Sequence, residues 1–130
     1  MSTAENKAKI LAFYDLAASG EVEKAFQTLL GSLDAEVVVH ESPLVPWGGD
    51  YEGVEAFVGV LPMIAAHVDP SGWEVLEVIA EGDSVSARCS LPYRPAADGA
   101  FVRTMICEWF RFRDGRIIEL WPLFFDVPQG

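Results

Sequence analysis

The chain has 130 residues, with 9 Lys plus Arg against 20 Asp plus Glu, 2 His and 2 Cys, and a formal net charge of −11. Residues 25–87 hold eleven acidic residues and no Lys or Arg, which excludes the clustered cations that nucleic acid and anionic membrane surfaces require. The length suits one domain able to build a core without disulfide or metal staples. An apolar fraction of 51% excludes disorder and leaves apolar side chains for a cavity or an oligomer interface.

No apolar run reaches the length of a membrane span. Residues 1–7 lack the basic-then-apolar order of a signal peptide. Cys89 and Cys107 stand apart, with no CxxC and no neighbouring His cluster. The expectation is a single domain over residues 1–130 in the cytoplasm, with reduced thiols, no structural zinc and no cofactor.

In chain order, residues 5–18 place Ile10, Leu11, Phe13, Tyr14, Ala17 and Ala18 at helical spacing, and Gly20 stops that helix. Residues 21–33 repeat the pattern with Val22, Ala25, Phe26, Leu29, Leu30 and Leu33. Residues 36–42 read as a short strand around Val37-Val38-Val39, and residues 43–52, with two Pro and two Gly, read as a loop. Residues 53–67 read as a third helix that Pro62 kinks or splits. The period then changes to two. Strands are expected over 73–80, 84–94, 101–113 and 116–126, with hairpin turns at Glu81-Gly82-Asp83 and Asp114-Gly115. Helices followed by a strand meander give an α+β fold, a curved and mostly antiparallel sheet with helices on one face.

Parity sorts the strand residues. Glu108 shares a face with Thr104, Ile106, Phe110 and Phe112, whereas Arg103, Arg111 and Arg113 take the other face. Ile118, Leu120, Pro122, Phe124 and Asp126 share a face, and Glu41 falls with Val37 and Val39, leaving His40 outward. Cys89 and Cys107 fall on opposite faces, which argues against a bond between them. Gly48-Gly49 lacks the surroundings of a phosphate loop, and His67 at a helix end suits the helix dipole.

The order of elements resembles the cone-shaped fold of nuclear transport factor 2, ketosteroid isomerase and the SnoaL-like polyketide cyclases. The resemblance covers nearly the whole chain. It is carried by Phe13-Tyr14 before Gly20, by His40-Glu41-Ser42-Pro43, by the segment Pro46 to Gly53, and most specifically by residues 108–118 with Phe124-Phe125-Asp126. It implies three helices on a strongly curved sheet that encloses a pocket, and a homodimer formed through the outer sheet face, where parity puts Trp109 and Trp121.

Five residues are the candidates for chemistry. Glu108, desolvated among apolar neighbours, falls where the isomerase motif has a protonated Asp that donates to a developing oxyanion. Glu41 falls roughly where the isomerase has its proton-shuttling carboxylate, and His40 competes for the role of base. Asp126 resembles the acid of the SnoaL-like cyclases. Tyr14 could donate to an oxyanion, but counting back from Gly20 puts Phe13 at the isomerase's tyrosine position. Phe13, Trp47, Tyr51, Leu91, Ile106, Phe110, Leu120 and Phe124 are expected to contact substrate, with Trp47 at the pocket mouth.

The expected function is cofactor-independent acid/base catalysis on a hydrophobic carbonyl compound, through an enol or enolate, giving isomerisation, cyclisation or dehydration. One alternative is a limonene-type epoxide hydrolase, which wants an Asp-Arg-Asp relay. Arg88, Arg94 and Arg103 are at hand, but parity turns Arg88 and Arg103 outward. The other is a non-catalytic binder of a hydrophobic ligand or an interaction domain.

Overall fold

The computed structural model describes residues 2–128. Two helices come first, α1 (Thr3–Ala18) and α2 (Val22–Gly31), followed by β1 (Leu33–Glu41), β2 (Gly49–Glu52) and α3 (Val54–His67). A short 3₁₀ turn, Pro70–Gly72, leads into β3 (Glu74–Glu81), β4 (Ser84–Tyr93), β5 (Val102–Arg113) and β6 (Arg116–Phe124). The six strands form one sheet in the order β2-β1-β6-β5-β4-β3. All neighbours are antiparallel except β1 and β6, which run parallel.

Local chemistry accounts for most of the boundaries. Ser2 caps α1 through the Glu5 backbone N–H while the Glu5 carboxylate accepts from the Ser2 N–H, a reciprocal box of about 1 kcal/mol. The Asp114-Gly115 turn has both residues at positive φ, the geometry of the tightest hairpins. In β4, Val85, Ala87, Cys89 and Leu91 are fully buried, in strict alternation. Burying each large aliphatic side chain there contributes about 2 kcal/mol.

Three expectations are corrected. The segment 43–52 is not all loop, because Gly49–Glu52 pairs with Val38–Glu41 as an edge strand. Pro62 does not split α3, which runs unbroken from Val54 to His67. Along β6 the pairing with β5 slips between Arg111 and Phe112, so Ile117 becomes fully buried ahead of Ile118, and the expected parity holds only from Leu120 onward.

The helices position the cavity. α1 lies over β3 and β4, and α3 lies over β1 and β2. The end of α3 is tied to the sheet by His67, whose Nδ1–H donates to the Arg94 carbonyl at 2.8 Å, and by Arg94 Nε, which donates to the Ala66 carbonyl at 2.8 Å. Between the two helical layers the sheet floor stays open.

Candidate active site

A cavity of about 540 Å³ fills that gap. Its floor is Glu41 of β1, Leu91 of β4, Ile106 and Glu108 of β5, and Leu120, Pro122 and Phe124 of β6. α1 contributes Phe13 and Tyr14, α2 contributes Val22, Glu23, Phe26 and Leu29, and α3 contributes Phe57, Leu61, Pro62 and Ala65. Trp47 and Trp73 close the remaining sides. Among these lining residues there is no Lys, Arg or His.

Strand alternation sends Glu41 and Glu108 inward, as the sequence predicts. Glu41 is 7% exposed, and what accessible surface Glu108 retains opens onto the cavity. No ion pair reaches either carboxyl among the described residues. Burial therefore penalises their charged forms, and both carboxyls are pushed up from the ordinary 4.5 to about 7. The neighbours then distinguish them. Glu108 Oε1 accepts a hydrogen bond from the Tyr14 hydroxyl at 2.5 Å, which eases its ionisation. Glu41 feels the negative charge of Glu108, which opposes its ionisation. The Trp47 indole favours ionised Glu41, yet its buried N–H completes no hydrogen bond of ordinary geometry. Burial and the adjoining Glu108 also push the Tyr14 hydroxyl far above its usual range.

Trp47 is not at the mouth but inside, at 2% exposure. The loop after β1 turns it inward. Val45 N–H donates to the Ser42 carbonyl and Gly48 N–H to the Val45 carbonyl, and the Tyr51 hydroxyl donates to the Trp47 carbonyl at 2.6 Å. Gly48 sits so close to Ser42 that a Cβ there would meet the Ser42 carbonyl oxygen at 2.5 Å.

The remaining candidates sort as follows. Phe13, Tyr14, Trp47, Leu91, Ile106, Leu120 and Phe124 line the cavity with the two Glu residues. Tyr51 does not, because its hydroxyl is spent on the loop backbone. Phe110 is packed edge-on behind Tyr14 and supports the wall from outside. Asp126 is exposed, since β6 ends at Phe124, and its backbone carbonyl is held by the Thr104 hydroxyl at 2.7 Å. His40 lies on the opposite sheet face, bridging Asp50 at 2.9 Å and Glu119 at 3.0 Å, with its ring stacked on Trp121. Both thiols are free, and Cys89 is buried and pushed up to about 12.

Sequence reasoning missed Phe26, Phe57 and Leu61 as lining residues. The signal was present in the helices. Val22, Phe26 and Leu29 form one stripe of α2, and Phe57, Leu61 and Ala65 form one stripe of α3.

A SnoaL-like domain model matches residues 10–120. The chain belongs to the SnoaL-like family. No curated protein sequence matches it. Among solved structures it is similar to Bal32a from a soil-derived mobile gene cassette, at 20% identity and a TM-score of 0.76, over 95% of this chain and 92% of that one. It is also similar to a putative SnoaL-like polyketide cyclase from Jannaschia sp. CCS1, at 17% identity and 0.77, over 95% and 87%. A third similar structure is an LEH-like epoxide hydrolase from M. tuberculosis, at 19% identity and 0.65, over 94% and 84%. These likenesses establish a SnoaL-like, α+β fold of three helices on a six-stranded mixed sheet. No helix among the described residues is long and apolar enough to cross a membrane.

Proposed function

We propose that this SnoaL-like domain is a cofactor-independent acid/base enzyme acting on a hydrophobic carbonyl compound. One observation carries the reading: Glu41 and Glu108 open into the same apolar cavity, each held near neutrality by burial. A general acid or base works best with a pKa near the working pH. Glu108, its charge favoured by the Tyr14 hydroxyl, removes a proton from the carbon beside the carbonyl. Glu41, kept neutral by burial and by the Glu108 charge, donates its proton to the carbonyl oxygen as the enol forms. This reverses the roles that the resemblance to the isomerases implies. The buried indole N–H groups of Trp47, beside Glu41, and of Trp73, beside Cys89, complete no hydrogen bond of ordinary geometry and are further donors for a ligand oxygen.

From the enol, return of the proton at a more distant carbon gives isomerisation, attack on a second carbonyl gives cyclisation, and loss of a β-hydroxyl gives dehydration. The epoxide hydrolase reading has less support, because no Arg lines the cavity. Arg88 pairs with Glu77, Arg103 bonds Ser90 and the Gly72 carbonyl, and Arg94 lies over Phe101.

The test is hydrogen–deuterium exchange at the α-carbon of a bicyclic ketone such as 2-decalone, followed by NMR in deuterated buffer. Catalysed exchange that falls about 100-fold or more in E108Q supports the reading. Saturable ketone binding without exchange overturns it in favour of a ligand-binding domain.

We infer in addition that two copies associate through the outer sheet face. Trp109 and Trp121 are cross-strand partners there, at 42% and 39% exposure, with Ile79 and Leu123 also exposed. Exposed aromatic residues on one contiguous face suit an interface between copies.

A further inference from the structure

The cavity unites features that select a ligand by charge as well as by apolarity. Two carboxyls, Glu41 and Glu108, face it from the floor, and Glu23 stands on its α2 side. The other titratable group on its walls is the Tyr14 hydroxyl, with the Cys89 thiol close to Tyr14 and Glu108. Every one of these groups is neutral or negative, and no cation lines the cavity from any element. The walls between the carboxyls are aromatic, with Phe57, Phe124, Trp47 and Trp73 among them. The faces of such rings attract a positive charge, most strongly when it is desolvated. Trp47 holds its buried indole beside the Glu41 carboxyl without completing a hydrogen bond of ordinary geometry, so the oxygens of that carboxyl remain free to accept from a ligand.

We propose that the cavity binds lipophilic amines in their protonated form, with the ammonium held between Glu41 and Glu108 and the hydrocarbon against the aromatic walls. A cation there supplies the countercharge that the fold withholds from the two carboxyls. Bound, it drives them to ionise, so affinity rises as pH climbs through about 7 and binding near neutrality expels a proton. A neutral ligand of the same shape gains nothing from that ionisation. This inference rests on the charge and walls of the cavity and is independent of the proposed reaction.

The test compares 4-phenylbutylamine with 4-phenylbutan-1-ol by titration calorimetry on the full chain. At about pH 8 the amine is expected to bind about tenfold or more tightly than the alcohol, and the preference shrinks toward about pH 5.5. Titrations near neutrality, in buffers of different ionisation heat, are expected to show proton release with the amine and none with the alcohol. The E41Q/E108Q variant loses the preference. Equal or tighter binding of the alcohol at about pH 8 overturns the proposal. So does a preference that survives in the double variant. If that variant does not fold, the wild-type protein decides, since amine binding without proton release overturns the proposal too. Ketone exchange without amine binding removes this inference and leaves the reaction standing, and amine binding without ketone exchange does the reverse.

Discussion

Tyr14 and Glu108 lie 94 residues apart and meet at 2.5 Å, oxygen to oxygen. The bond joins α1 to the middle of the sheet and gives the Glu108 carboxyl its one hydrogen-bond donor among the described residues. Replacing Tyr14 with Phe removes that donor and leaves the ring. Because the hydroxyl favours ionised Glu108, Y14F is expected to raise the Glu108 pKa further. The rising limb of the pH–rate profile for ketone exchange moves to higher pH, and the rate below it falls about 10-fold or more. An unchanged profile would separate Tyr14 from the function of Glu108.

The two raised carboxyls set the pH dependence of stability. Unfolded, each ionises near its ordinary 4.5, and folded, each holds its proton to about 7. Between those values the folded state binds more protons, so the stabilisation is complete at the acidic end and is lost as pH rises through 7. Each carboxyl accounts for about 1–3 kcal/mol over that window. Thermal unfolding of the wild-type protein is therefore expected at lower temperature near pH 8 than near pH 5, with the difference reduced in E41Q/E108Q. Equal slopes in the two proteins would show that the carboxyls already ionise freely in the fold.

Gly48 is required by space. A methyl group there would meet the Ser42 carbonyl oxygen at 2.5 Å and the Pro43 Cα at 2.9 Å, both of them backbone atoms. G48A is expected to displace the loop that carries Trp47, at a cost of about 2 kcal/mol. The measurable outcome is a lower denaturation midpoint together with a changed near-ultraviolet circular dichroism signal from the buried indole.

Introducing a charge on the outer face tests the association of copies. W109K sets a cation beside Trp121 without touching a cavity residue. Light scattering is expected to give twice the chain mass for the wild-type protein and the single-chain mass for W109K. A wild-type protein of single-chain mass would retire the dimer.

The strands were legible in the sequence because one buried face forces a period of two, as the row from Val85 to Leu91 shows. The same rule turns Glu41 and Glu108 inward. It failed where the chain departs from regularity. The pairing slip beside Phe112 made Ile117 the buried residue, and no local pattern announces such a slip. Asp126 was extrapolated along a strand that stops at Phe124. β2 hid among glycines and prolines because its partner β1, not its own composition, makes it a strand. Tyr14 follows Phe13 on a helix whose buried side is wide enough to take both, so counting from Gly20 could not say which reaches Glu108.

The parallel pairing of β1 with β6 fixes the order in which the molecule can be completed. Strands β3 to β6 pair antiparallel with their sequence neighbours, whereas β1, which meets β2 locally, finds its second partner about 80 residues further along the chain. β6 supplies Leu120, Pro122 and Phe124 to the cavity floor, so the cavity is complete only when that strand is in place. A chain halted before Arg116 would carry every candidate catalytic residue named in the proposed reaction and still lack the part of the cavity floor that β6 provides.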